Sequence, residues 1–338
     1  MTAKNDFQKA VELVEKAKNI LITTHIKPDG DACGSMAAIW EALTALGKKA
    51  EALLLTELPQ WYEQLFTQKP ILLKDIKQNE PAFDLLIIVD TNSYSQLEGL
   101  EGFLKQNKKP ILVIDHHPTS DNLGDVELID NSAAAAGLIV FDFFKYAKWP
   151  ITKKIAEALF VAIASDTGWF QFRNTDSRVY KSCAELINAG AEPTEIHHQL
   201  YHNFSPSRFK LLAAMLGTLQ LHFDGRYVEQ YLTQEDFKKA GATYKDTENF
   251  IDECRRIKTI EAAVLFVEMA DGRIKCSMRS SGSTSLTTSG AVDVCKIAQK
   301  FGGGGHTAAA GTHLAGPLQN AMQIIKAEVE KQLLPKQK

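Results

Sequence analysis

At 338 residues, with 45% apolar and 23% charged side chains, the chain is long enough for two domains and has the composition of an ordinary soluble globular protein. A formal net charge of −3 and a pI near 6.3 argue against a broad basic face for long duplex DNA. They leave room for a small nucleotide, whose few phosphates can be met by metals and local cations. Five scattered cysteines, Cys33, Cys183, Cys254, Cys276 and Cys295, form no C-x-x-C pair. They read as reduced thiols, not as a disulfide frame or a zinc ribbon. The opening residues lack the apolar core of a secretory leader, and apolar runs stay far below the roughly 20 residues of a membrane span. A cytoplasmic protein is expected.

An amphipathic helix near Phe7–Ala17 leads to a strand, Asn19 to Thr24, and a second helix is expected over Asp31–Leu46, closed by Gly47. Lys49–Leu55, Leu85–Val89 and Ile111–Ile114 read as further strands. Ala133–Tyr146, Lys153–Ala164 after the cap Thr152, and Asp176–Ala189 before Gly190 read as helices. Fully apolar strands separated by helices imply a parallel sheet covered on both faces. After about residue 200 the pattern changes. Hairpins are expected around Asp224-Gly225 and Asp271-Gly272, with helices over Thr233–Ala240, Asp246–Arg256, Asp293–Phe301 and Pro317–Leu334. The fold class is therefore α/β: an N-terminal parallel-sheet domain, residues 1–205 with its connector, and a smaller C-terminal α+β domain, residues 206–338, facing it across a cleft.

Ionisable residues follow three of the buried strands. His25-Ile26-Lys27-Pro28-Asp29-Gly30-Asp31 comes after the first, Asp90 after Leu85–Val89, and Asp115-His116-His117 after Ile111–Ile114. Open α/β sheets bind ligands at the carboxyl ends of their strands, so these groups are candidates for one crevice. Several aspartates with few histidines favour a hard or borderline divalent ion, Mn²⁺ or Mg²⁺, and a dinuclear phosphoesterase leads. Taken singly, the first segment reads equally well as a Pro-Asp-Gly turn with an Asp cap on the Asp31 helix, and Asp90 as loop chemistry. Asp115-His116-His117 is harder to dismiss, because ionisable groups beside a buried strand need partners. His197, His198 and His202 lack a carboxylate cluster and read as a helix or linker face.

His25–Ser35, Val89-Asp90-Thr91, Asp115-His116-His117 and Ser165-Asp166-Thr167-Gly168 resemble, in order and context, the four motifs of the DHH phosphoesterases. Phe301-Gly302-Gly303-Gly304-Gly305-His306 through Gly311 resembles the signature of the DHHA1 domain that accompanies them. The resemblance runs from about residue 5 to 330 and is nearest the stand-alone NrnA-like oligoribonucleases and 3′-phosphoadenosine 5′-phosphate (pAp) phosphatases. It implies two Mn²⁺ ions, with Mg²⁺ as the alternative. His25 and Asp29 would bind one, Asp31, His116 and Asp166 the other, and Asp90 would bridge them. His117 would contact phosphate, with Asp115 orienting a histidine. Gly303, Gly304, Gly305, His306 and Arg279 would bind the substrate. The implied activity is a phosphodiesterase and exoribonuclease on very short oligoribonucleotides such as pApA, with pAp as a second substrate. The runner-up is a soluble phosphodiesterase for linear or cyclic dinucleotides, and a retired, binding-only core ranks last. The implied partners are short nucleotides, not membranes or long duplexes, with room for a homodimer.

Overall fold

A computed structural model describes residues 4–76, 82–202, 204–280 and 292–333. The chain divides into two compact units, Met1–Asn203 and Phe204–Lys338.

The first unit runs α1 (Lys4–Lys16), β1 (Asn19–Thr24), α2 (Gly30–Ala45), β2 (Lys49–Leu54), β3 (Ile71–Leu72), β4 (Leu85–Val89), α3 (Glu101–Gln106), β5 (Ile111–Asp115), β6 (Val126–Ile129), α4 (Ala136–Ala147), α5 (Lys153–Asp166), α6 (Ser177–Asn188) and α7 (Pro193–Tyr201). The strands form one all-parallel sheet in the order β3-β2-β1-β4-β5-β6. Buried residues alternate between two faces. Ile20 and Ile22 join the large core with α2, α4 and α5, while Leu21 joins the smaller one with Leu104 of α3. That alternation is why β1 and β4 are apolar at nearly every position. The order reverses between β1 and β4, which opens a crevice at their carboxyl ends.

One close helix contact sets the site's dimensions. A Cβ on Gly34 of α2 would lie 2.4 Å from the Ala158 carbonyl of α5, so glycine lets these helices approach. The same approach brings Asp31, at the start of α2, toward Asp166, the last residue of α5.

The second unit runs α8 (Pro206–Gly217), β7 (Gln220–His222), β8 (Tyr227–Leu232), α9 (Gln234–Ala240), α10 (Phe250–Cys254), β9 (Ala262–Glu268), β10 (Arg273–Ser280), α11 (Val294–Gln299), β11 (Gly304–His306), β12 (Ala309–Ala315) and α12 (Leu318–Leu333). Its mixed sheet has the order β11-β12-β10-β9-β8-β7. The two expected hairpins are present as β7–β8 and β9–β10. They join through a parallel β8–β9 pair, with α9 and α10 supplying the crossover that parallel pairing requires. One face packs on α11 and α12, the other on α8, α9 and α10.

The structure corrects two expected helices. Ala133–Tyr146 is helical only from Ala136, because Ala135 is extended and the first helical N–H groups are taken by the Asp31 carboxylate. Asp246–Arg256 is not one helix: a short 3₁₀ turn, Tyr244–Thr247, is separated from α10 by Asn249 at φ +61°. The helix after Asn19–Thr24 begins at Gly30, and the aspartate that caps it is Asp29, which accepts from the N–H groups of Asp31 and Ala32 at 3.0 and 3.1 Å.

Candidate metal centre

Among the described residues, three overlapping donor groups lie at the carboxyl edge of the first sheet, each with its donor atoms within 4.8 Å of one another: His25, Asp29 and Asp90; Asp31, His116 and Asp166; and Asp90, His116 and His117, which links the first two. Asp90 lies against both. Its Oδ2 is 3.4 Å from His25 Nε2 and its Oδ1 is 3.5 Å from His116 Nε2. Further contacts close the second group, with His116 Nε2 at 3.2 Å from Asp166 and 3.9 Å from Asp31. Asp90 also sits at φ +59°, a conformation aspartate tolerates better than most residues and one that turns its side chain sharply out of the strand.

The imidazoles are aimed. His25 Nδ1 is 2.8 Å from the Ile26 carbonyl and His116 Nδ1 is 3.2 Å from the Ala133 carbonyl. With Nδ1 on a backbone carbonyl, each Nε2 faces the carboxylates: protonated it donates to them, and as the neutral imidazole its lone pair would be free for a metal ion, the arrangement typical of metal-ligating histidine. Asp31 is fixed as firmly. Its Oδ1 accepts from Ser35 Oγ at 3.0 Å and Gly137 N at 2.9 Å, and its Oδ2 from Ala136 N at 2.5 Å. The carboxylate thereby satisfies the start of α4 and is favoured by that helix's dipole.

The electrostatics call for a cation. Burial pushes Asp31 well above the usual carboxylate range, and the charges of Asp90 and Asp166 push it further. Burial and the same two neighbours also raise Asp29. Burial works against a charged His25, yet its contacts with Asp90 lift it to about 9. His116 behaves alike: burial opposes its charge, but Asp166 and Asp90 lift it to about 11. Asp90 itself is held below the ordinary range, because His116 and His25 together outweigh its burial. Asp90 Oδ1 and His116 Nε2 are buried with no hydrogen bond of good geometry. Orphaned donor atoms facing one another, with oxygen and imidazole ligands only, fit Mn²⁺ or Mg²⁺.

His117 stands beside these groups, half exposed, with Nδ1 at 2.8 Å from Asp115 Oδ1 and 3.8 Å from Asp90 Oδ1. Fully buried Asp115 spends that same oxygen on the backbone N–H groups of His116 and His117, at 2.8 and 3.2 Å. The histidine ring that Asp115 contacts is thus that of His117, not His116. The hydrogen bond to Asp115 outweighs burial and raises His117 above its ordinary value.

Residues 19–163 match the model of the DHH family, N-terminal domain, and residues 224–333 match that of the DHHA1 domain. The bifunctional oligoribonuclease and PAP phosphatase NrnA of Thermus thermophilus is 32% identical over 317 residues, spanning 93% of this chain and 90% of that protein. The chain belongs to the DHH–DHHA1 family, of the NrnA type. Among solved structures, an exopolyphosphatase-related protein from Bacteroides fragilis superposes with a TM-score of 0.88 at 24% identity, covering 98% of this chain and 97% of that one. RecJ of Thermus thermophilus in complex with Mn²⁺ has the same fold, with a TM-score of 0.55 at 16% identity, over 96% of this chain and 54% of that one.

In the DHHA1 domain the glycine segment is a strand, not a loop. Gly304, Gly305 and His306 pair with Gly311, Ala310 and Ala309 of β12. The glycines differ in what demands them. A Cβ on Gly303 would come within 2.2 Å of the Gly311 carbonyl, and Gly305, at φ +141°, would meet the Ala309 carbonyl at 2.4 Å. Gly304 would meet nothing within 4 Å. Its missing side chain is the one that packing leaves unexplained. The Cys295 thiol donates to the Gly305 carbonyl at 2.9 Å, a contact with no signal in the sequence. Arg279, at the end of β10, is paired at 3.7 Å with Asp252 of α10. Of the segment Ser280–Ser289, only Ser280 lies within the described residues.

Sequence reasoning missed the supports of the metal group. Ser35 could have been found from its i+4 spacing to Asp31. The Ala133 carbonyl, the Ala136 and Gly137 N–H groups and Asn174, whose Nδ2 holds the Asp166 carbonyl at 3.0 Å, act through backbone or at a distance and leave no side-chain pattern.

Proposed function

We propose that this chain is a Mn²⁺-dependent phosphoesterase that hydrolyses very short oligoribonucleotides to mononucleotides and pAp to AMP. The observation that carries the reading is Asp90, one buried carboxylate whose two oxygens serve two separate donor groups. Support for the substrate comes from the NrnA relative, a bifunctional oligoribonuclease and PAP phosphatase. In this reading His25 and Asp29 hold one ion, Asp31, His116 and Asp166 the other, and Asp90 is shared.

Two divalent ions so held would acidify a water and neutralise charge on the phosphate oxygens. The chain's own residues do the rest. Asp31 is locked by three hydrogen bonds, so its carboxylate does not reorganise during the reaction. Asp115, hydrogen-bonded to His117 Nδ1, favours the charged form of that ring and would leave Nε2 as a donor for a non-bridging phosphate oxygen. The Gly304 backbone and His306 in the DHHA1 domain would hold a further phosphate of the substrate, where a bare backbone edge can approach an anion.

The test is a Mn²⁺-supplemented panel of pAp, pApA, cyclic dinucleotides and graded oligoribonucleotides, resolved by chromatography. Release of mononucleotides from pApA and of AMP from pAp is expected, both lost in Asp90→Asn. Turnover confined to cyclic dinucleotides, or undiminished in Asp90→Asn, would overturn the reading.

A further inference from the structure

The segment after Asp166 does more than end a helix. Gly168, Trp169 and Phe170 have φ values of +55°, +54° and +66°, three left-handed residues in a row. Bulky aromatic residues rarely adopt that conformation, so the surrounding structure must enforce it. The backbone turns back on itself, with the N–H groups of Gln171 and Phe172 on the Thr167 carbonyl at 2.9 and 3.0 Å. Asn174 then clamps the loop, its Nδ2 reaching the carbonyls of Asp166 at 3.0 Å and Ala134 at 3.2 Å. Ala134 adjoins the residue whose carbonyl aims His116, so both ends of the loop are tied to the metal group.

The aromatic residues of this loop are used differently. Trp169 donates Nε1–H to the Tyr201 hydroxyl at 2.9 Å and packs edge-on against His197. Phe170 packs against Phe160 and stacks on Tyr180, which occupies one face of the Tyr180 ring. Phe172 is 60% exposed and has no ring partner among the described residues. Yet it is not loose. A Cβ on Gly168 would lie 2.5 to 2.7 Å from three of its ring carbons, so the ring rests directly on that glycine. The result is an apolar ring supported from one side and open on the other. Beside it Arg173 is exposed and has no ion pair among the described residues.

We propose that Phe172 is a stacking platform for a nucleobase of the substrate, within a nucleotide subsite that includes the charge of Arg173. This inference rests on the oligonucleotide reading above, since the occupant is the base of a nucleotide whose phosphate sits at the metal group. The chemistry suits that occupant. A flat, apolar, solvent-exposed ring gains by covering itself with a π-face, which every base offers without regard to sequence. An adjacent free cation suits the phosphate, and the strained turn fixes the ring's position relative to Asp166.

The experiment is calorimetric titration of the Mn²⁺-loaded full chain with AMP and with ribose 5-phosphate, which keeps the phosphate and lacks the base. Wild type should bind AMP about 5- to 100-fold more tightly. Phe172→Ala should erase that preference while changing the ribose 5-phosphate affinity less than about twofold, and Phe172→Tyr should retain it. Equal affinities in wild type, or a preference that survives in Phe172→Ala, overturns the proposal. So does a change of oligomeric state in Phe172→Ala with the AMP preference intact, which would assign the ring to a contact between copies. If Phe172→Ala loses Mn²⁺ or unfolds, Phe172→Leu decides, because it keeps bulk and removes the π-face. Turnover of pApA on the same preparations separates the two readings. An AMP preference without pApA hydrolysis defeats the oligonucleotide reading and leaves the platform standing, and hydrolysis without a preference does the reverse.

Discussion

In the first unit, the candidate site residues are buried acids and imidazoles that repel, orphan or protonate one another unless a cation joins them. In the second, the candidate substrate contact is a glycine strand in which Gly303 and Gly305 already have packing reasons to be glycine. The difference governs how each can be argued. A carboxylate such as Asp90, buried between two histidines, is costly as structure and makes sense as a ligand. A glycine pressed against β12 makes sense as structure alone, so function has to be sought at Gly304, where structure asks for nothing.

The strongest way to break that comparison is at Asp90. Asp90→Asn keeps the shape and removes the charge shared by both donor groups. We expect turnover of pApA to fall by at least about a hundredfold, beyond the 10- to 100-fold typical of outer partners of metal ligands. Metal analysis should show less bound Mn²⁺ with unchanged far-ultraviolet dichroism. Activity within tenfold of wild type would return Asp90 to a merely structural role.

Metal removal separates the units directly. All four tryptophans, Trp40, Trp61, Trp149 and Trp169, fall in the first unit, so indole fluorescence reports on it alone. Binding of an ion at a hundred times its Kd stabilises by about 2.7 kcal/mol, and 1 kcal/mol moves the midpoint of a unit this size by about 2–4 °C. Chelation should therefore lower the fluorescence midpoint by about 5–10 °C. Addition of Mn²⁺ should restore it. A midpoint indifferent to chelator would mean that the acidic group holds no ion tightly.

The same contrast explains what could be read in the sequence. His25, Asp90 and Asp115-His116-His117 were legible because each breaks an apolar strand at the point where a parallel sheet presents its ligand edge. The strands β11 and β12 were not, since Gly304–His306 and Ala309–Ala315 carry few of the β-branched and aromatic residues that mark a strand. The late start of α4 was hidden for another reason. The alanines at 133–135 favour helix locally, but Asp31, more than a hundred residues earlier, takes the N–H groups of Ala136 and Gly137 and fixes where that helix begins.

Within the second unit, glycine substitutions sharpen the argument. Gly303→Ala forces a methyl into the Gly311 carbonyl and should destabilise by about 1–3 kcal/mol, seen in denaturant unfolding. Gly304→Ala should leave that stability unchanged within about 0.5 kcal/mol. Its KM for pApA should nevertheless rise severalfold if a phosphate approaches the backbone there. Two equally benign substitutions would remove the glycine strand from the substrate site.

The smallest expected effect concerns a support of the first unit. Arg178 donates to Asp130 and Asp142, each at 2.7 Å, and the Asp130 segment leads into Ala133, whose carbonyl aims His116. Burial opposes the charge of Asp130, but hydrogen bonds from Ser132 and Arg178 hold it down at about 2. A carboxyl depressed in the folded state stabilises fully above its unfolded value near 3.9 and loses that contribution as pH falls through the folded value. Wild type should thus exceed Arg178→Gln by about 1–2 kcal/mol at pH 6, a difference that shrinks between about pH 4 and 2. Both proteins are compared in chelator, so that loss of metal in acid does not enter the difference. Tryptophan fluorescence melts across that range supply the measurement. A gap that stays constant down to pH 2 would mean that Arg178 acts through packing, and its hold on Asp130 would then be incidental to the loop that aims His116.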